Sequence, residues 1–274
     1  MTTVAITGAT GLIGDRVIEL LNKEFSFLPL TSHDVDITNR DQVKTALQNT
    51  HYDILLHLAG YTNVNGAEQE REKAYAINVT GTQNLYDVTV EKKAKFIYIS
   101  TDFVFDGTTP PYFEDSKPHP IGYYGQTKYE GELIVKDQAM IVRPSFPYRK
   151  QFDRKKDFMR TIKSLLEQKK ELKMVTDSLI TPTYIDDIAY ALRHLMTNFT
   201  PDVYHIVGSS SMSPFDAGKL IAQTFGLDGH LIQPTTFDEY FAGKAQPPRY
   251  SEIKSKKNTF QSMKSFEEGL RELV

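Results

Sequence analysis

The sequence predicts an α/β protein, a doubly wound parallel sheet with a smaller C-terminal lobe. Three observations carry the prediction. Apolar runs alternate with longer helical stretches from the first residues onward. The runs are continuously apolar, as strands covered on both faces require. A glycine signature, Gly8-Ala9-Thr10-Gly11-Leu12-Ile13-Gly14, stands between the first such run and the first helical stretch.

In chain order, the first strand falls at 4–7, a helix at about 12–23, a strand at 27–31, a helix at about 40–48 and a strand at 53–58. This is βαβαβ, the opening of a Rossmann-type sheet. A long helical stretch at about 67–91, a strand at 96–99, a helix carrying Tyr124 and Lys128, and a strand at 140–143 follow. Beyond Pro144 the rhythm loosens. Helices are expected near 157–168, 186–196, 215–225 and 266–273, strands at 172–175 and 204–207, and a loop at Pro247-Pro248. The expected organisation is a dinucleotide-binding Rossmann domain over 1–143, its sheet completed by elements near 185–207. Residues 144–274 would form mostly a smaller substrate-binding lobe interleaved with it. No repeat or low-complexity tract interrupts this plan.

Composition narrows the function. Lys and Arg number 32 against 35 Asp and Glu, a net charge of −3, so no basic field marks a nucleic-acid or anionic-lipid binder. With no cysteine, the chain has no disulfide framework, thiolate zinc site or cysteine nucleophile. The absence of a signal-like leader and of a long apolar run leads us to expect a cytoplasmic protein without a membrane partner. No metal site is expected either. The adjacent pair Asp186-Asp187 would point about 100° apart on a helix and suits its N-terminus better than a chelate.

The glycine signature is where a phosphate site belongs. Glycine permits φ > 0 and lets backbone N–H groups approach a pyrophosphate at the helix N-terminus, so Gly8, Thr10, Gly11, Leu12, Ile13 and Gly14 are candidate cofactor contacts. After the second strand, where NAD sites usually place an acidic residue, the chain reads Thr31-Ser32-His33. A 2′-phosphate would meet no repulsion there, though no arginine grips it, so NADP(H) is preferred and NAD(H) stays open. Thr31 and Ser32 are assigned to the ribose end, and Asp36 and Ile37 to the adenine. After the third strand Leu58, Ala59, Gly60 and Tyr61 should run against the cofactor, and Ser100 should do so after the fourth. His57 is read as a packed strand residue.

Chemistry enters with Thr101, Tyr124 and Lys128. On a helix, residues four apart share a face, so the phenol and the ammonium enter one cleft. A neighbouring cation favours phenolate and should lower the Tyr124 pKa, making it a usable proton donor near neutral pH. Following a glycine turn and a strand-end hydroxyl, this pair points to a nicotinamide-dependent carbonyl reductase.

The same residues resemble the extended short-chain dehydrogenase/reductases, and within them the dTDP-4-dehydrorhamnose reductase family. The likeness rests on Gly8–Gly14, Ala59-Gly60-Tyr61-Thr62-Asn63-Val64 with Ala67-Glu68, Asn78, Ser100-Thr101-Asp102-Phe103-Val104-Phe105-Asp106-Gly107, Tyr124–Glu132, Arg143-Pro144-Ser145-Phe146 and Pro182–Ala189. The resemblance implies that Thr101 hydrogen-bonds a keto oxygen, Tyr124 protonates it, and Lys128 binds the nicotinamide ribose. It implies a nucleotide-sugar substrate and allows a homodimer. Candidate sugar contacts are Val64, Thr101, Phe103, Phe146 and Arg249. Relatives often carry tryptophan where Phe146 stands, so the aromatic wall is smaller here and donates no hydrogen bond.

Three rivals share the fold. A sugar-nucleotide dehydratase needs a glutamate where this chain has Phe103, and an epimerase/reductase of the fucose-synthase type needs a cysteine. A 4-epimerase would use the same threonine, tyrosine and lysine. The resemblance also reaches the regulatory subunit of methionine adenosyltransferase, a non-catalytic nucleotide-binding role.

Overall fold

The computed structural model describes residues 1–274. Its first half alternates strictly: β1 (Thr3–Thr7), α1 (Leu12–Leu21), β2 (Ser26–Leu30), α2 (Arg40–Leu47) and β3 (Ile54–His57). Then come α3 (Val64–Gln69), α4 (Arg71–Tyr75), a π-helical turn over Ala76–Thr80, α5 (Gly81–Glu91), β4 (Lys95–Ile99), a 3-10 turn over Asp102–Val104, α6 (Tyr123–Val135) and β5 (Met140–Arg143). The second half holds β6 (Pro147–Tyr148), α7 (Phe158–Glu167), β7 (Leu172–Val175), β8 (Thr183–Tyr184), α8 (Ile185–Thr197), β9 (Val203–His205), α9 (Pro214–Thr224), β10 (Ile232–Thr235), α10 (Phe237–Tyr240) and α11 (Phe266–Arg271).

Six parallel strands form the main sheet in the order β2-β1-β3-β4-β5-β9. Proline 29 is tolerated in β2 because that strand lies at the edge, where a missing N–H breaks no inner ladder. The chain leaves β1 to one side for β2 and returns to the other for β3, so the order reverses beside β1. Crevices for ligands open at the carboxyl ends of strands at such a reversal.

Both faces of the sheet are covered. One carries Val4, Ile6, Ile54, Leu56, Ile97 and Val142 against α1 and α8; the other carries Ala5, Leu55, Phe96, Tyr98 and Ile141 against α2, α5 and α6. Alternate residues of each strand divide between the two cores, which is why the strands read as unbroken apolar runs. A third core joins Tyr148, Met159, Ile162, Leu166, Met174, Ile221 and Phe266 in the C-terminal lobe, where β7 and β10 pair in parallel.

Two expectations hold here and gain detail. The helical stretch expected over 67–91 forms as α3, α4, the π-helical turn and α5, and Asp186 and Asp187 stand in the first turn of α8. The break at Glu70, with φ −107° and ψ 51°, frees the Glu70 carboxylate for the Tyr61 phenol. Asp186 and Asp187 do more than favour a helix N-terminus. Asp186 receives Arg16 of α1 through two hydrogen bonds, at 2.7 and 2.6 Å, and Asp187 accepts Lys264 N at 2.7 Å. They latch α8 to the first helix and to the C-terminal segment.

Candidate active site

Five strand ends converge on one cleft of about 970 Å³, lined by Gly8 after β1, Thr31 after β2, Leu58 after β3, Ser100 after β4 and Pro144 after β5. The glycine turn is built for close approach. Gly8 has φ +64°, and a Cβ there would lie 2.8 Å from Ala59 N. A Cβ on Gly14 would run into the Gly8 carbonyl oxygen. Only glycine lets this turn sit against the end of β3.

Thr7 and His57 hold that junction. The Thr7 hydroxyl accepts the Leu58 and Ala59 N–H groups, each at 3.2 Å, and lies 2.7 Å from His57 Nδ1. Its own hydrogen therefore goes to Nδ1, leaving the Nε2 hydrogen for the Thr82 hydroxyl 3.1 Å away, which in turn donates to Asn78 O at 2.7 Å. Burial, aided by the nearby Lys128 charge, pushes the His57 pKa down to about 3. A histidine kept neutral in this way is a packed strand residue.

Thr101, Tyr124 and Lys128 all line the cleft. Thr101 ends the extended chain after β4 and caps the 3-10 turn, accepting Phe103 N at 3.3 Å. Its hydroxyl donates to Asp102 Oδ1 at 3.1 Å, and the buried Asp102 also receives the hydroxyls of Ser145 and Ser251. Burial raises the Asp102 pKa while these three hydroxyls oppose the rise. Tyr124 and Lys128 project from α6, whose own N-cap, Gly122, supplies no side-chain bond. Glu68 of α3 serves instead, accepting Tyr123 N at 2.6 Å.

The expected depression of the Tyr124 pKa is not what the structure holds. Burial drives the phenol up to about 12, the adjacent Thr101 hydroxyl pulls it back, and the Asp102 charge adds to the rise. The same burial drives Lys128 down to about 7, against the opposing attraction of Glu132. Desolvation is the largest influence on each group. The ammonium instead faces the Tyr98 ring, 4.1 Å from its centroid, and makes no hydrogen bond within the chain. One more buried group is unpartnered, Ser100 Oγ.

Of the cofactor candidates, Gly8, Thr10, Gly11, Leu12, Ile13, Gly14, Thr31, Ser32, Asp36, Ile37, Leu58, Ala59, Gly60, Ser100, Tyr124 and Lys128 line the cleft, and Tyr61 does not. The Tyr61 ring packs with Ala67, Ala74 and Tyr124 and gives its hydroxyl to Glu70, while its backbone is bound to the Asn78 amide. Asp34, near the ribose end, lies outside the lining and accepts the Thr31 N–H at 2.9 Å and hydroxyl at 2.6 Å. Val64, Thr101, Phe103 and Phe146 meet at the other end of the cleft. Phe146 holds φ at +39° and packs its ring 6.5 Å from Phe103 and 5.9 Å from Phe158. A bulky residue in that region is strained and worth a functional reading. Arg249 lies outside the cleft lining, its guanidinium donating to the Asp177 carbonyl and carboxylate. Its charge is already matched.

Sequence reasoning missed Thr62, Ile77, Lys155, Lys156, Asp157 and Phe158, which also line the cleft. The last four come from a segment with no recognisable motif. No helix is long and apolar enough to cross a membrane.

Comparison with known proteins places these features in context. The family described as the RmlD substrate binding domain matches residues 1–274. A dTDP-4-dehydrorhamnose reductase of Mycolicibacterium smegmatis is 31% identical over 99% of this chain and 84% of its own length. A probable low-salt glycan biosynthesis reductase of Haloferax volcanii is 31% identical over 89% of this chain and 87% of that protein. A crystal structure of dTDP-4-dehydrorhamnose reductase from Bacillus anthracis, in complex with NADP, superposes with a TM-score of 0.92. It is 35% identical and covers 100% of this chain and 99% of its own.

Proposed function

The chain belongs to the RmlD substrate binding domain family of extended short-chain dehydrogenase/reductases, and from that premise we propose that it reduces a nucleotide-linked 4-keto sugar, preferring NADPH. The observation that carries the reading is the meeting of Thr101, Tyr124 and Lys128 in the cleft that begins at the glycine turn. Support comes from the NADP complex of the Bacillus anthracis reductase.

The residues present fit a dinucleotide. The glycine turn has no room for a Cβ at Gly8 or Gly14, the Ser100 hydroxyl is an orphan, and Lys128 lines the cleft beside it. The backbone of Gly8–Gly14 would take the pyrophosphate, Thr31 and Ser32 the adenine ribose, and Lys128 the hydroxyls of the other ribose. Asp34 is engaged by Thr31 outside the lining, and Asp36, which lines the cleft, is engaged by Thr38, so neither carboxylate is free to claim a ribose 2′-hydroxyl, which favours a 2′-phosphate.

Reduced nicotinamide, when bound, supplies a hydride to the carbonyl carbon. Tyr124 retains its proton at neutral pH and releases it as negative charge grows on the keto oxygen. The Thr101 hydrogen, held by Asp102 in the free protein, turns to the same oxygen, so two donors stabilise the developing oxyanion. Phe103, Phe146 and Val64 form an apolar wall that positions the sugar and excludes water.

Purified protein given NADPH and a dTDP-4-keto-6-deoxyhexose should oxidise the cofactor stoichiometrically. Cofactor recycled without net consumption would favour the 4-epimerase. No oxidation with dTDP-, UDP- or GDP-linked keto sugars would reject the reading.

A further inference from the structure

The segment 152–157, between β6 and α7, passes from a neighbouring polar hollow, lined by Phe152, Asp153 and Arg154, into the cleft, lined by Lys155, Lys156 and Asp157, and is fastened to two of the cleft's walls. Arg154 Nη1 donates to the Thr10 carbonyl oxygen in the glycine turn at 3.2 Å, and Lys155 Nζ donates to the Thr62 hydroxyl beyond β3 at 3.0 Å. A third cation, Lys156, donates to Ser164 Oγ at 2.6 Å. The segment's shape is set from its base, where Arg160 donates to the carbonyls of Phe152 and Lys155.

All three cations rest on neutral acceptors. The nearest buried carboxylate, Asp157, is committed to Arg149 N at 3.2 Å, Arg160 N at 2.9 Å and Arg160 Nε at 2.7 Å. Asp153 and Arg154 both line the neighbouring polar hollow beside α1, from which Arg154 reaches the Thr10 carbonyl at the edge of the glycine turn. Three consecutive like charges repel one another, and Lys155 and Lys156 face the cleft. A carbonyl or hydroxyl acceptor leaves a cation's charge unmatched, and exchanging it for an anionic oxygen adds a direct ionic attraction to the bond.

We propose that Arg154 and Lys155 form a strap that binds the diphosphate bridge of the dinucleotide, giving up Thr10 O and Thr62 Oγ1 for phosphate oxygens. The proposal rests on the dinucleotide reading above. The glycine turn offers N–H groups from one side. The strap brings mobile charge from the other, with Lys156 raising the local positive potential.

The test is NADPH binding, followed by the fluorescence of the bound nicotinamide, in the parent and in an Arg154→Ala/Lys155→Ala double variant whose melting curve shows it folded. The Kd should rise by about 10-fold or more for each cation lost, and its dependence on salt should flatten. Lys155→Arg should restore most of the affinity lost in Lys155→Ala. An unchanged NADPH affinity in the folded double variant would overturn the strap alone, as would a loss confined to dTDP. A parent that binds neither NADPH nor NADH would overturn the dinucleotide reading itself.

Discussion

Lys128 holds its ammonium 4.1 Å from the centroid of the Tyr98 ring, buried and without a hydrogen-bond acceptor. The ring's negative face replaces only part of the lost hydration, so the group titrates near pH 7 rather than at its ordinary 10.5. Between those two values the unfolded chain binds a proton that the folded chain does not, and stability rises with pH across the window. Lys128→Met should therefore be more stable than the parent at neutral pH, by ~1 kcal/mol or more, with the advantage shrinking as pH climbs toward 10.5. Urea midpoints at several pH values measure this. A variant less stable than the parent at every pH would contradict it.

Tyr124→Phe removes the proposed proton donor and leaves the ring's edge contact with Phe103, at 5.5 Å between centroids, intact. The reduction rate should fall by roughly 10² or more, with NADPH affinity close to that of the parent. Single-turnover kinetics with a keto-sugar nucleotide decides. An undiminished rate would remove Tyr124 from the chemistry.

Glu68 caps a helix to which it does not belong. Cutting it back to alanine leaves the Tyr123 N–H without its 2.6 Å acceptor at the start of α6 and should cost ~1 kcal/mol of stability. Because Tyr124 is the next residue, turnover should drop along with the melting temperature. A full-speed enzyme with a lowered melting point would show the cap to be purely structural.

Glu132 and Arg143 form a buried two-point ion pair at 2.8 and 2.6 Å, and Arg143 also lies 3.3 Å from His205. Glu132→Ala strands a charge and should destabilise the protein by ~3–5 kcal/mol. A paired replacement, Glu132→Leu with Arg143→Met, should recover much of that loss. Chemical denaturation of the three proteins gives the comparison.

How much of this was legible beforehand depended on how local the cause was. The glycine turn, the strand-end threonine and the Tyr124–Lys128 spacing are short-range patterns, and their side chains meet in the cleft as read. The strands of the main sheet lay within a residue or two of their observed bounds because both faces are apolar. The break at Glu70 and the π-helical turn that places Asn78 against Tyr61 depend on contacts between distant segments, which periodicity does not record. Burial reversed the inferred pKa of Tyr124, since the sequence displays the nearby lysine and hides the lost water. Arg249 was drawn away by Asp177, 72 positions earlier. Nothing local to Arg154-Lys155-Lys156 signals that the fold sets Arg154 beside Thr10 and Lys155 beside Thr62.

The sixth strand of the main sheet, β9, and the helix α8 before it reach the sheet only after the chain has already built part of the second lobe. Ile185, Ile188, Ala189, Leu192, Leu195 and Met196 of that helix fill one face beneath the strands. A nascent chain leaving the ribosome thus cannot seal its nucleotide half until about two hundred residues have emerged. Truncation near residue 150 should yield an open, aggregation-prone fragment rather than an autonomous nucleotide-binding module.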